Sequence, residues 1–315
     1  MTATARPVDP RRRDLPERLD RLRTRARGHG ALGEVVWRDL ADPAEESFAA
    51  AAGDPARPDG YVRVVRVDAG EGDWAVGLVL DPAAGDAATA ALLDAALDHV
   101  ARHGGGRAVL WVFGPDADDD RRARMAGFEP HRDVLQMRVP LPLDVRAGIP
   151  PGVRLRTFRP GADEDAFVAL NNRAFAGHPE QGGWTRATLA RRMAEPWFDP
   201  ELLLIAEDAE GPVGFDWLKI HPAAGDDPVL GEIYAIGVDP RGRGQGLGRA
   251  LAVAGLERVA ALGVPVGMLY VDADNAPAIA LYRSLGFREH RVDRAYARDV
   301  PGATRADEHH QGATP

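Results

Sequence analysis

Apolar and polar positions along the second half of the chain follow a repeating order of strand, turn and helix. Ile233-Tyr234-Ala235-Ile236-Gly237 is an apolar run of strand character, and Arg249 to Val259 carries apolar residues at helical spacing. Between them lies Val238-Asp239-Pro240-Arg241-Gly242-Arg243-Gly244-Gln245-Gly246-Leu247-Gly248. Further on, Leu269-Tyr270-Val271 reads as a strand ending in the polar turn Asp272 to Asn275, and Ala276 to Leu285 as a short helix. Asn275 suits the cap of that helix, Pro277 an early helical position and Gly286 the residue after its end. Upstream, Val153 to Phe158 predicts a strand and Glu164 to Phe175 a helix. Leu202 to Ala206 and Pro212 to Ile220 predict a hairpin around Asp208-Ala209-Glu210-Gly211, and Glu232 to Val238 a strand entering the Gly-rich turn.

The first half repeats this order. Val79-Leu80-Asp81-Pro82 is followed by an apolar helix from Thr89 to Ala101, a strand from Ala108 to Phe113, a helix around Arg121 to Met125 and Gly127-Phe128-Glu129. Asp81 to Gly127 spans 46 positions and Asp239 to Gly286 spans 47, which points to duplication of one unit. The proline-rich stretch around Pro140, Pro142, Pro150 and Pro151 reads as a connection. The expected organisation is therefore a first domain over 1–140, a linker over 141–152, a second domain over 153–300 and a disordered tail over 301–315. The fold class is α/β, of α+β mixed-sheet type, as a tandem repeat. Leu15, Leu19 and Leu22 predict a helix behind the basic run Arg11-Arg12-Arg13.

The 315 residues suit two domains, and a 45% hydrophobic content supports packed cores. A formal net charge of −9 argues against a nucleic-acid binder and suits a cationic or polyhydroxyl substrate. The absence of Cys excludes disulfides, thiolate metal sites and a Cys nucleophile. The nine His residues show no metal-ligand spacing, so no metal is expected. No apolar run reaches the about 18 residues of a membrane span, and the N-terminal residues lack the apolar core of a secretory signal. These features fit a cytoplasmic protein.

A strand, a Gly-rich turn and a helix together form an anion site. Glycines admit positive φ and close approach, and the first N–H groups of a helix lack internal partners. Arg241, Arg243 and Arg249 add positive charge. The turn lacks the Lys-Ser/Thr pair of a nucleoside triphosphatase loop and the acidic residue of a dinucleotide fold. It resembles the acetyl-CoA loop of the GNAT acetyltransferase superfamily. Asn275-x-x-Ala278-x-x-Leu281-Tyr282-x-x-x-Gly286-Phe287 resembles the second wall of the same cleft. The resemblance implies two tandem GNAT-like domains. It also implies acetyl-CoA contacts at Ile236, Gly237 and Val238, at Arg243, Gly244, Gln245, Gly246, Leu247, Gly248 and Arg249, and at Asn275, Ala276, Pro277, Ala278, Ile279 and Ala280. The first half lacks the Arg residues and alternating glycines, carries Asp86 in their place and has Asp116 to Asp120 in the turn after its strand. Its CoA loop is degenerate.

Amine acetylation needs an amine relieved of its proton, a polarised thioester carbonyl and a proton for the departing thiolate. Glu232, at the start of the strand leading to the loop, is the candidate base, with Tyr234 and Tyr270 placed to shield it. Tyr282, at the position that commonly faces the cofactor sulfur in GNAT proteins, is the candidate acid. Lys219, in Phe215 to Pro222, reads either as an exposed strand residue or as a holder of a hydroxyl-rich substrate. Glu180 stands in a loop suited to substrate contact.

Larger blocks narrow the resemblance. Ala174 to Thr185, with His178-Pro179-Glu180-Gln181-Gly182-Gly183-Trp184, Trp197 to Pro200, Gly231 to Pro240 and Leu269 to Val271 together resemble the mycothiol synthase (mycothiol acetyltransferase) family over almost the whole chain. This implies acetyl transfer from acetyl-CoA to the cysteinyl amine of a cysteinyl-glucosaminyl-inositol, the last step in making the thiol mycothiol of actinobacteria. It also implies substrate contacts at Glu34, Glu180, Lys219, Glu232 and Tyr270, and a second acetyl-CoA along Leu78, Val79 and Leu80, which the degenerate loop puts in question. A monomer with a small-molecule substrate is expected. A tandem GNAT enzyme for an aminoglycoside or peptide amine, and a non-catalytic CoA-binding module, are the competing readings.

Overall fold

The computed structural model describes residues 4–9, 46–54, 57–67, 73–81, 83–176 and 181–303. The helix predicted from Leu15 to Leu22 lies outside them, as do Glu34, Glu180 and the tail from residue 304. Two compact units divide the chain, one of residues 1–132 and 293–315, the other of residues 133–292.

The first unit carries β1 (Ala5–Pro7), β2 (Phe48–Asp54), β3 (Arg57–Arg66), β4 (Trp74–Leu80), α1 (Asp86–Arg102), β5 (Gly105–Phe113) and α2 (Ala117–Met125). Its strands lie in the order β1-β2-β3-β4-β5, and residues 293–301 pair antiparallel with β5. Leu92, Leu93, Ala96 and Val100 recur on one face of α1 and bury it against Val62, Val64, Trp74 and Leu110. The polar run Asp116 to Asp120, expected to fill a turn, instead starts α2. Asp116 accepts from the N–H groups of Asp118 and Asp119, and the Asp119 side chain reaches back in a capping box.

The second unit receives most of β6 (Glu129–Pro140). It continues with β7 (Arg154–Thr157), α3 (Glu164–Ala174), α4 (Arg186–Met193), β8 (Leu203–Asp208), β9 (Gly211–His221), β10 (Leu230–Val238), α5 (Leu247–Ala261), β11 (Val266–Asp272), α6 (Ala276–Ser284) and the first residues of β12 (Arg288–Pro301). The strand order is β6-β11-β10-β9-β8-β7, with β10 and β11 parallel and the other neighbours antiparallel.

Prolines at 140 and 142 predict a domain boundary there, but the compact units divide eight residues earlier, between 132 and 133. Leu135, Met137 and Val139 alternate onto one face of β6 and enter the core of the second unit, so this strand belongs there. At the other end Tyr296 and Val300 enter the core of the first unit, which places 293–301 in it. The stretch after Pro140 is not a free linker either, because Leu141, Leu143, Val145 and Ala147 pack on the core of the second unit. Pro301, the expected start of the tail, is the last residue of β12.

Helix α5 covers one face of the second sheet. The cross-strand row Leu218, Ile233, Leu269 and Met137 meets Ala252, Val253, Leu256 and Val259 there. Full burial of a residue such as Leu251 or Leu256 stabilises by about 1.5–3 kcal/mol. Asp216 of β9 points to the same side and is wholly buried, with neither oxygen meeting a hydrogen-bond partner among the described residues. Burial raises its pKa well above the ordinary carboxylate range. It fits only because residue 255 is glycine: a Cβ there would lie 2.1 Å from Asp216 Oδ2. Gly255→Ala is therefore expected to destabilise the protein by about 1–3 kcal/mol in urea unfolding, the usual cost of overpacking. Asp216→Ala in the same chain should restore most of that loss. A single Gly255→Ala variant as stable as the wild type would show that α5 and β9 do not meet in this way.

Candidate active site

Strand register sorts the candidate residues onto two faces. Lys219 pairs with Glu232, Glu232 with Met268, and Met268 with Arg138, so these four share the face away from α5. His221 and Trp217 flank Lys219 at two-residue steps, and Tyr270 with its partner Gln136 stands beside Met268. One end of this face is roofed by α3 and α4. There Phe158, Phe167, Trp184, Leu189, Phe215 and Trp217 form an aromatic core against which Trp197 and Tyr234 pack.

Glu232 is 7% exposed, and its carboxylate meets His221 Nε2 at 2.6 Å. Neither flanking Tyr is its hydrogen-bond partner. Tyr270 is 41% exposed and accepts from Gln136 Nε2 at 2.8 Å. Arg138 donates to Gln136 Oε1 at 2.9 Å and holds Asp227 through two bonds of 2.6 and 3.1 Å. This string anchors the Tyr270 hydroxyl at the rim of the face. Tyr234 accepts from Arg192 of α4 and lies with Trp197 beneath Lys219, whose Nζ stands 4.7 Å from the Trp197 ring centre and 5.5 Å from that of Tyr234. Two aromatic faces hold the ammonium group next to Glu232. His221, Arg138, Gln136 and Arg192 carry no motif of their own. Strand register brings the first three to this site, and the packing of α4 brings Arg192.

Beyond Glu232 the sheet splays. β10 pairs with β11 only from Leu230 to Ile233, and its ladder with β9 shifts between Ile233 and Ala235. β10 then continues to Val238 beside β9, while β11 continues to Asp272 beside β6. The edge of β10 at Ile236, Gly237 and Val238 is thereby left without a strand partner on the β11 side. Tyr282 of α6 packs with Ile279, Leu285 and Phe287 in the core on the α5 side. The gap between β10 and β11 therefore has Glu232 on one side of the sheet and Tyr282 on the other. Burial raises the Tyr282 pKa above that of a free phenol and keeps its O–H proton in place.

The Gly-rich turn lies at the end of the splayed strand. Asp239 is 4% exposed, accepts from Arg241 N–H at 3.1 Å and binds Arg173 Nε at 2.6 Å, which fixes the turn to α3. Gly246 adopts φ +81° at the cap of α5, no side chain caps that helix, and a Cβ at Gly244 or Gly246 would meet nothing within 4 Å. An uncapped helix N-terminus beneath an open glycine turn fits a pyrophosphate. Arg243 donates to Ala174 O at 2.9 Å and Arg249 to Ser284 Oγ at 2.5 Å, so both stand beside the turn. Arg241, counted among the phosphate charges from sequence, is instead bound to Asp208 and Gly211 O and anchors the hairpin turn. The Asn275 side chain accepts from Ala278 N–H at 3.2 Å, capping α6, and its neighbours Ala276, Pro277 and Ala280 are exposed.

The corresponding place in the first unit has a different occupant. β4 pairs with β5 only from Trp74 to Val76, leaving Leu78, Val79 and Leu80 on a similar splay. Asp86 occupies the first turn of α1, and its hydrogen bonds from Arg121 and Arg122 bring its pKa down to about 2. This carboxylate supplies the negative charge that the helix end attracts. Among the described residues no group of His, Asp and Glu is gathered for a metal ion, and no helix is long and apolar enough to cross a membrane.

Comparison with known proteins agrees with this geometry. The sequence profile of the acetyltransferase (GNAT) family matches residues 167–287. A mycothiol acetyltransferase of Mycobacterium marinum is 38% identical over 302 residues, covering 90% of this chain and 92% of the relative. The chain belongs to the mycothiol acetyltransferase family. Another mycothiol acetyltransferase, from Acidothermus cellulolyticus, is 49% identical over 209 residues, and the match spans 63% of its length. A tandem GNAT protein from the clavulanic acid biosynthesis pathway superposes with a TM-score of 0.68 at 18% identity, covering 96% of this chain and all of that one. The fold is thus that of a tandem GNAT protein, and members of this superfamily use acetyl-CoA.

Proposed function

We propose that the protein transfers acetyl from acetyl-CoA to the cysteinyl amine of 1D-myo-inositol 2-(L-cysteinylamino)-2-deoxy-α-D-glucopyranoside, giving mycothiol. The observation that carries this reading is the buried Glu232 on a polar face that opens onto the splay between β10 and β11, beside a glycine turn at the N-terminus of α5. Membership of the mycothiol acetyltransferase family supports the choice of acceptor.

Acetyl-CoA supplies the activated acetyl group. The turn from Arg243 to Arg249 holds its pyrophosphate, with the start of α6 as the opposite wall. Backbone N–H groups at Ile236 to Val238 polarise the carbonyl in the splay. Glu232 takes the proton of the amine, and Tyr282 gives its proton to the departing sulfur from the other side of the sheet. Lys219 and Tyr270, together with Glu34 and Glu180, bind the sugar, the inositol and the cysteine. The acceptor face mixes Lys219 and Arg138 with Glu232 and Asp227, and Arg138 already pairs Asp227. Such a set suits hydroxyl groups better than the several ammonium groups of an aminoglycoside.

The first unit acts as support. Asp86, held by Arg121 and Arg122 in the first turn of α1, puts negative charge where a second pyrophosphate would lie, which weighs against a second acetyl-CoA along Leu78, Val79 and Leu80. Measuring CoA release with the cysteinyl pseudodisaccharide, an aminoglycoside and a peptide amine side by side tests the assignment. Release with the pseudodisaccharide alone is expected, and a preference for either other amine contradicts it.

A further inference from the structure

The structure assigns His221 as the positioning residue of the base: its imidazole fixes the Glu232 carboxylate so that the second oxygen faces the amine. This rests on the reading of Glu232 as the base.

Among the described residues, His221 is the only hydrogen-bond partner of that carboxylate, with Nε2 2.6 Å from Oε2. The Glu232 side chain is 9% exposed and the imidazole 32%. His221 is therefore the outer member of the pair, and the carboxylate the inner one. Against an ionised carboxylate Nε2 carries the proton and donates it, and a hydrogen bond to a charged acceptor is about twice as strong as a neutral one. The imidazole binds Oε2 and leaves the lone pairs of Oε1 for the substrate.

The backbone explains why His221 can do this. It is the last residue of β9, two steps beyond Lys219 on the same face, and Pro222 follows and ends the strand. Its register partner is Leu230, two residues before Glu232 on β10, so the two side chains meet diagonally across the ladder. Among the described residues no other side chain nearby substitutes for it. Lys219 lies over Trp197 and Tyr234, Arg138 is committed to Asp227 and Gln136, and the Tyr270 hydroxyl is bound by Gln136. A base misplaced by about 1 Å can lose 100-fold in rate, so a carboxylate without its anchor works poorly while remaining chemically intact.

The proton count is simple. An N–H bond of the substrate amine breaks and an O–H bond forms at Glu232 Oε1. The imidazole keeps its own Nε2 proton throughout and changes no bond.

His221→Ala and His221→Gln in the full chain test the assignment, with steady-state kinetics for both substrates and thermal unfolding as the control for folding. His221→Ala is expected to lower kcat about tenfold to 100-fold with the KM for acetyl-CoA unchanged. The Gln amide N–H can replace Nε2–H, so His221→Gln should return kcat to within about threefold of the wild type. A fully active His221→Ala enzyme, or a folded His221→Gln enzyme as slow as His221→Ala, overturns the assignment. Glu232→Gln run beside them separates the two levels. If it retains wild-type turnover, the base itself is misassigned and His221 has nothing to position. If it is inactive while His221→Ala is not, only the role of His221 fails.

Discussion

Glu232→Gln is expected to lower kcat by about 10²–10⁴-fold, the span that general base catalysis contributes, while acetyl-CoA binds as before. The change keeps the shape of the side chain and an oxygen able to accept from His221 Nε2, so packing and the local hydrogen bond survive. What disappears is the capacity to take a proton. On the proposed reading acetyl-CoA is held elsewhere, at the turn from Arg243 to Arg249 and the uncapped start of α5, and calorimetric titration should show no change. Unaltered turnover in Glu232→Gln would remove this residue from the base role.

The second large effect is expected at Tyr282. Tyr282→Phe removes one hydroxyl and leaves the ring packed against Phe287, 5.7 Å away centre to centre. Stability should change little, whereas kcat should fall by about 10²-fold through the loss of the proton given to the leaving sulfur. Because burial holds the phenol protonated above the range of a free tyrosine, its donor form persists through neutral and mildly alkaline pH. The deficit of Tyr282→Phe should therefore be nearly constant across that range. Wild-type rates for the variant at every pH would show that the thiolate leaves without help from this residue.

Much of the second unit was legible in the sequence because its signals are local. The glycine turn, the cap at Asn275 and the stop at Gly286 each act within one turn of chain, and the structure places a cap hydrogen bond at the second and positive φ at Gly244, Gly246 and Gly286. Glu232 and Lys219 were legible as candidates because each sits in a recognisable strand. Features that depend on distant partners were not. His221 gains its importance from a carboxylate on the neighbouring strand, and Gln136 and Arg138 from Tyr270 and Asp227. Arg241 reads as a phosphate ligand until Asp208 draws it away. The unit boundary follows the same logic. Proline marks the end of β6, but pairing with β11 decides which unit that strand joins. The four residues of α4 that matter, Thr185 as its cap with Leu189, Arg192 and Met193, are too short a pattern to stand out from the loops around them.

The most direct measurement of the central claim is mass spectrometry of the product formed by the purified protein from acetyl-CoA and the cysteinyl-glucosaminyl-inositol, with cysteine and an aminoglycoside as parallel acceptors. The geometry predicts rapid, selective addition of one acetyl group to the cysteinyl nitrogen with release of one CoA. Acetyl-CoA bound but not consumed with this acceptor, or faster transfer to either of the others, would contradict it.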